Sequence, residues 1–437
     1  MDQFFKLGER KSDVATELRA GLTTFLAMSY IIVVNPLILS AGGVPVSAAV
    51  TATCIGAAVM TIAMGLIANR PLACASGMGI NSIVAYTLCG AMGLGWQTAM
   101  AIIFVEGIAI LLLVLCGLRE AIMDAIPVSL RHGISIGLGL FIAMIGLKDG
   151  GIIVANEATM VALGKVTDPV FLVGLISIVA TVVLSSMRVK GALLWGIVIA
   201  SVLGIPLGVT AAPTSIVAPL DFTTFGAPFM ADADGVMGVV KALTTPALLL
   251  FAFSLMMSDF FDTMGTAMAV AKQGEFLTED GKVEDIKPIL IVDSVAAAAG
   301  GVFGASSITT FVESASGAAD GGRSGLTSVT AGVLFLLAAF FSPLIGCISS
   351  AATCGALVYV GFLMMGEVTE VDWSDILEGF PTFMIIIGIP FTYSISNGIG
   401  LGFIAYVIVA AVTGNLKKVR PLMWVAAAAF LAYFLLV

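Results

Sequence analysis

The chain has 437 residues, of which 59% are hydrophobic and only 11% charged, with a mean hydropathy of +1.12. Soluble domains carry about 25% charged residues, so this composition excludes a soluble or disordered protein and points to a polytopic helical membrane protein. The formal net charge of −9 says little, because the location of the charges matters more than their sum.

Residues 1–17 are polar and carry Lys6, Arg10 and Lys11 without the pattern of a signal peptide, so a retained cytoplasmic lead-in is expected. Hydropathy then predicts helices over 18–39, 46–68, 72–90, 96–118, 128–147, 168–187, 191–209, 246–271, 287–304, 306–322, 324–341, 345–366, 379–395, 397–414 and 421–437. Several are too short or too glycine-rich to span alone. With the N-terminus inside, Arg70, Arg119, Arg131, Arg188, Lys190, Lys272, Lys282, Lys287 and Arg323 all fall inside. Of the nineteen Lys and Arg, only Lys148, Lys165 and Lys241 fall outside, which agrees with the positive-inside rule. Placing Lys417, Lys418 and Arg420 inside uses fourteen crossings and leaves 421–437 over. Two of the last segments are therefore read as half-spanning helices, and about fourteen elements are expected.

The chain reads as duplicated, with repeats over 18–225 and 235–437. Ala75-Ser76-Gly77-Met78-Gly79-Ile80-Asn81-Ser82 can be laid over Ser307-Ile308-Thr309-Thr310-Phe311-Val312-Glu313-Ser314, which sets Asn81 opposite Glu313. An odd number of crossings per half makes such a repeat inverted. Interrupted helices at matching positions of the two halves then point to a binding site.

Charge at membrane depth is costly and marks function, and a broken backbone is tolerated only where it lines a protected site. Glu313 lies in the Gly/Ser/Thr-rich run from Gly300 to Gly317, with Thr310 and Phe311 just before it. Arg323, ten residues on, is about 15 Å away along a helix, too far for a local ion pair. Asp259 and Asp262 are three apart and share roughly one face, with no basic residue between Lys241 and Lys272; Asp262 is the preferred functional acid. Two acids on one cavity favour sharing a proton, as a proton-coupled carrier requires. A protonated carboxyl donates a hydrogen bond and an ionised one accepts, which suits a ligand with amide-like edges.

Glu106 is a further proton-coupling candidate, with a helix–helix hydrogen bond as its other reading. Asp293 is read as orienting nearby backbone, and Asp320 with Arg323 as a cytoplasmic turn. Phe260, Phe261 and Phe311 flank the acids and could stack on a planar ligand. The single His132 is assigned a structural or interfacial role rather than a catalytic one. The scattered Cys54, Cys74, Cys89, Cys116, Cys347 and Cys354 read as packing residues. No metal cluster, nucleophile–base pair, phosphate loop or basic aromatic patch is present in the sequence, so no metal, catalytic residue, cofactor or nucleic-acid partner is expected.

Phe261-Asp262-Thr263-Met264-Gly265-Thr266, Phe311-Val312-Glu313-Ser314 and Gly321-Gly322-Arg323-Ser324-Gly325-Leu326-Thr327 resemble signatures of the AzgA-like purine permeases, a branch of the nucleobase–cation symporter 2 family. Gly21 to Tyr30, Asn35-Pro36, Gly77 to Asn81 and Pro390 to Ile395 resemble it as well, so nearly the whole chain is covered. The resemblance implies an all-α membrane fold of two inverted seven-helix repeats. Helices 1–4 and 8–11 would form a core and helices 5–7 and 12–14 a gate, with short strands in the discontinuous helices 3 and 10.

It further implies import of hypoxanthine, guanine or adenine with protons by an elevator motion, across the cell's inner membrane and often as a homodimer. By motif position Asp262 and Glu313 would bind the purine, with Asn81 contributing. From their place beside these acids Phe261, Phe311 and Thr310 join the expected binding residues, and Glu313, Asp262 and Glu106 are the candidate proton-coupling acids. The competing reading is a carrier of the same fold for uracil, xanthine or a small anion; two central acids argue against the anion.

Overall fold

A computed structural model describes residues 2–117, 126–213, 215–278 and 283–436. Arg119, Lys282 and the side chain of Phe261 lie outside the described residues. The chain runs α1 (Val14–Ala41), α2 (Val46–Ala68), β1 (Cys74–Ser76), α3 (Met78–Ala91), α4 (Trp96–Leu115) and α5 (Val128–Asp149). A hairpin of β2 (Ile153–Asn156) and β3 (Met160–Leu163) follows, then α6 (Pro169–Ser186) and α7 (Ala192–Gly204). The second part holds α8 (Pro246–Gln273), α9 (Ile286–Phe303), β4 (Ile308–Thr310), α10 (Ser314–Ala319) and α11 (Gly325–Ile345). It ends with α12 (Ser350–Glu370), α13 (Ile376–Phe391), α14 (Ile395–Val412) and α15 (Pro421–Leu436). Among the described residues nine helices are long and apolar enough to cross a membrane, and the protein is an integral membrane protein.

Most expected helices stand within a few residues of their sequence bounds, because apolar runs of bilayer length leave the backbone no other way to satisfy itself in lipid. Three departures are informative. The hydropathy helix 306–322 is a three-residue strand and a six-residue helix, and 72–90 likewise opens as a strand, which are the short strands that the resemblance implied in these two segments. The hairpin at 153–163 was not anticipated; it is mostly exposed, so no core-facing apolar stripe announces it. After α7 the described residues over 205–213 and 215–226 are not helical.

The helices sort into two packing groups. α5 lies against α12 and α13, α12 against α6, α6 against α7, and α13 against α14. In the other group α2 and α1 lie against α11, α4 against α9 and α8, and α10 against α1.

β1 and β4 pair antiparallel with Cys74 opposite Thr310, Ala75 opposite Thr309 and Ser76 opposite Ile308. The ladder extends by Gly77 N to Ser307 O and Phe311 N to Ala73 O, both 2.9 Å, so it is centred on Ala75 and Thr309. A two-fold through that centre matches Glu313 with Gly79 and Asn81 with Ala315. The sequence overlay was thus two residues out of register, because small-residue runs fit one another at many offsets.

An open two-stranded ladder inside a membrane needs every edge group paired. Neighbouring hydroxyls do this. Thr61 Oγ1 accepts from Cys74 N and donates to Cys74 O, each at 2.9 Å, and Ser314 Oγ accepts from Ala73 N at 3.0 Å. Ser328 Oγ lies 2.8 Å from Leu72 O, and Asn35 Nδ2 donates to Ala305 O at 3.2 Å. Gly304, at φ +82°, makes the reversal from α9 into this ladder; a Cβ there would stand 2.4 Å from Thr224 Cβ. Only glycine takes that conformation next to such a neighbour without strain.

One end of the bundle carries a polar network. Glu17, fully buried, accepts from the amides of Arg323 (3.0 Å), Ser324 (3.3 Å) and Thr327 (3.3 Å) and from the Thr327 hydroxyl (2.6 Å), covering the start of α11. Arg70 meets Glu284 at 2.9 Å, and Arg323 meets Glu275 at 3.1 Å. Asp320 accepts from Thr23 (2.6 Å) and pairs with Lys190, which ties the α6–α7 turn to α1 and α10. The anchoring role read for Asp320 and Arg323 agrees with these contacts.

Candidate functional site

Glu313 stands three residues beyond β4, at the entry to α10, and is partly exposed. Its Oε1 accepts a 2.6 Å hydrogen bond from the Tyr30 hydroxyl. Tyr30 is fully buried and sits where α1 loosens between Met28 and Ile31, six residues before Pro36. Proline removes an amide donor, so α1 can present a side chain from an irregular turn at low cost.

Asp262 projects from α8 and is exposed although it lies far from either end of that helix. Its acidic neighbours within electrostatic range are Asp293, Glu313 and Glu367. The two acids singled out in the sequence thus stand within electrostatic range of each other, each with some exposure, and Tyr30 is bonded to one of them.

Asp259 and Asp262, expected on roughly one face, part company. Asp259 is fully buried while Asp262 is exposed. Three residues of helix turn the chain by about 300°, leaving about 60° between the two side chains. That is enough to separate a packing seam from an exposed face.

The remaining candidates divide. Phe311 is buried at 7% exposure and Phe260 completely, so both rings pack into the interior rather than lining open space. Asn81 is buried; its Nδ2 reaches Ser76 O at 3.5 Å and its Oδ1 has no hydrogen-bond partner. No hydrogen bond among the described residues joins Asn81 to Glu313 or Asp262. Thr310 gives its amide to Asp293 at 3.1 Å, while its hydroxyl is buried without a partner. Glu106 is buried, with Asp259 and Asp293 as the acids in its electrostatic range.

Asp293 orients backbone as expected, and more. Its Oδ2 accepts from Thr263 Oγ1 at 2.6 Å, and its Oδ1 accepts from Thr309 Oγ1 and Thr310 N, each at 3.1 Å. One carboxylate therefore ties α9 to α8 beside Asp262 and to β4 just before Glu313. The sequence reading missed this clamp, and it missed Tyr30 and Glu367. A tyrosine just ahead of Asn-Pro in an apolar helix is the one local signal that could have found Tyr30. Glu367 binds His132 Nδ1 at 2.9 Å and Ser135 Oγ at 3.0 Å, which bears out a structural pairing for the single histidine.

Among the described residues no group of His, Cys, Asp or Glu is arranged to hold a metal ion. The chemistry available is hydrogen bonding. Two neighbouring carboxyls with some exposure can accept from ring or exocyclic N–H groups, and either can donate when protonated.

Comparison with known proteins adds the family. The Permease family model matches residues 15–401. The adenine permease AdeP of Escherichia coli is 40% identical, over 99% of this chain and 95% of its own length. The guanine/hypoxanthine permease PbuO of Bacillus subtilis is 39% identical, over 98% of each chain. Among solved structures, the transmembrane domain of the cyanobacterial bicarbonate transporter BicA superimposes with a TM-score of 0.63 at 15% identity, covering 90% of this chain and 97% of that one. That likeness concerns the fold alone.

Proposed function

This chain belongs to the Permease family, and on that premise we propose that it imports purine nucleobases by proton symport. The observation that carries the proposal is Glu313, held by Tyr30, within electrostatic range of Asp262 and beside a crossing of two short strands. An ionised carboxylate accepts from the N–H and exocyclic amine groups of a purine edge, and a protonated one donates to a ring nitrogen or carbonyl. Relatives named as adenine and guanine/hypoxanthine permeases support a purine as the ligand. They differ among themselves in which base they take, so all three bases enter the test.

The motion we propose is of the elevator type. Contacts recur in pairs: α5 on α13 answers α12 on α6, α6 on α7 answers α13 on α14, and α2 on α11 answers α9 on α4. This supports two inverted repeats over 18–225 and 235–437, with α1–α4 and α8–α11 as a core moving against α5–α7 and α12–α14 as a gate. The N-terminus is cytoplasmic in this reading and the membrane is the cell membrane, in keeping with the Lys and Arg distribution. A small anion is a poorer ligand here, because two carboxylates would repel it.

Uptake of labelled hypoxanthine, guanine and adenine into cells expressing the protein, with and without a protonophore, tests the proposal. Saturable uptake that the protonophore abolishes is expected, with a large loss in Glu313→Gln. Unchanged uptake by Glu313→Gln would sink the role of that acid, and no uptake of any of the three bases would sink the ligand class.

A further inference from the structure

A second group of acids lies in the packing between α4, α8 and α9. Glu106, Asp259 and Asp293 are each 0% exposed. Gly107 lets α4 come close to α9, since a Cβ there would stand 2.2 Å from Ala298 N. Glu106, next in the chain, is carried into this seam, with Asp259 its foremost acidic neighbour and Asp293 the next.

The other charges on helices packed against α4 stand elsewhere. Lys272 is in the last turn of α8, Lys287 in the first turn of α9, and Asp262 is exposed. Lys241, in the short helix Gly238–Thr244, is bound to Asp232 at 3.3 Å and Asp234 at 2.6 Å.

Hydrogen bonding sets Glu106 and Asp293 apart. Asp293 accepts from two hydroxyls and an amide, which suits an ionised carboxylate. Glu106 is the opposite case: neither carboxyl oxygen has a hydrogen-bond partner. A charged carboxylate without donors, buried beside other acids, is not sustainable, whereas a neutral carboxyl is.

We infer that Glu106 holds the proton carried with the base, and that Asp293 is the positioning residue through which its state reaches the purine site. The inference rests on the proton-coupled uptake proposed above and assigns the proton to a place apart from the base. The connection is direct in covalent and hydrogen-bonded terms. Asp293 holds Thr263, next to Asp262, and the amide of Thr310, three residues before Glu313. Loss of the Glu106 proton sets a further negative charge near Asp293 and so changes the electrostatic surroundings of the carboxylate that holds both.

The test uses the full chain in proteoliposomes under an inside-alkaline gradient of one pH unit, with labelled hypoxanthine, guanine and adenine as probes. One proton per base sustains about tenfold accumulation at that gradient, since a tenfold ratio and one pH unit are the same free energy. Glu106→Gln, a neutral isostere, is expected to bring accumulation to about onefold and to flatten the pH profile of base binding. Glu106→Asp is expected to keep a sloped profile with a shifted midpoint. Glu106→Gln that accumulates base about tenfold overturns the inference, as does a binding profile that neither variant moves. Wild-type protein that accumulates none of the three bases removes the uptake reading itself. Wild type and Glu106→Gln accumulating alike remove only the role of Glu106.

Discussion

Tyr30→Phe is the substitution that tests the site most directly. It deletes one oxygen, the donor of the 2.6 Å bond to Glu313 Oε1, and keeps the ring that fills a fully buried position in α1. A hydrogen bond to a charged partner contributes about 1.5–3 kcal/mol, which corresponds to a roughly ten- to hundredfold change in an equilibrium constant. Fold stability should change little, because Glu313 is partly exposed and water can replace the lost donor.

The loss should therefore fall on ligand affinity, through a Glu313 carboxylate no longer held at one orientation. Equilibrium binding of labelled base to purified protein reads the affinity, and thermal unfolding in the same detergent reads the fold. Weaker binding by about ten- to hundredfold at nearly constant Tm is expected. In a Glu313→Gln background Tyr30→Phe should add little, since the partner is already altered. Binding within about twofold of wild type would refute the reasoning, for it would mean that the hydroxyl does not orient the acid that meets the base.

Other outcomes follow from the same contacts. Asp293→Ala leaves the Thr263 hydroxyl to the Asp259 carbonyl (2.9 Å) and the Thr309 hydroxyl (3.1 Å), and the Thr310 amide without its acceptor; a loss of about 1–3 kcal/mol and a lower Tm are expected, and an unchanged melt would count against the clamp. Gly107→Val drives a side chain into the α9 backbone at Ala298, so Tm and expression should both fall, whereas a wild-type melt would mean that α4 and α9 are not so close. At the network end, partial burial pushes Asp320 up, but hydrogen bonds from Lys190 and Thr23 hold it below the ordinary carboxylate range on balance. A lowered folded value adds stability above the unfolded range, about pH 4, and loses it as pH falls through the folded value. The Tm gap between wild type and Asp320→Asn should therefore be open at neutral pH and close in acid; a gap that widens in acid would reverse the assignment.

Much of this molecule was legible as a sequence because lipid is an exacting solvent. Apolar runs of bilayer length have one backbone solution, so α2, α4, α5, α6 and α8 stood close to where hydropathy put them. The same cost made Asp262 and Glu313 conspicuous: no basic residue lies near either in sequence, and their surroundings are otherwise apolar or small. The matching interruptions at 72–90 and 306–322 were visible for the same reason, as stretches too rich in small residues for an ordinary spanning helix.

What the sequence by itself determined, then, was a helical membrane protein with two broken segments and a short list of acids at depth. Tertiary structure alone decided how those acids are grouped. Whether Asp259 and Asp262 are both exposed depends on about 60° of helix rotation, which the packing of α4 and α9 sets and a spacing of three does not. That Tyr30 meets Glu313, and that Asp293 joins α8 to β4, are contacts across 283, 30 and 17 residues of chain. Periodicity and hydropathy report each segment's relation to the solvent around it. Which side chain meets which across the core is set by the ladder register and by close helix approaches, and neither leaves a periodic trace in the chain.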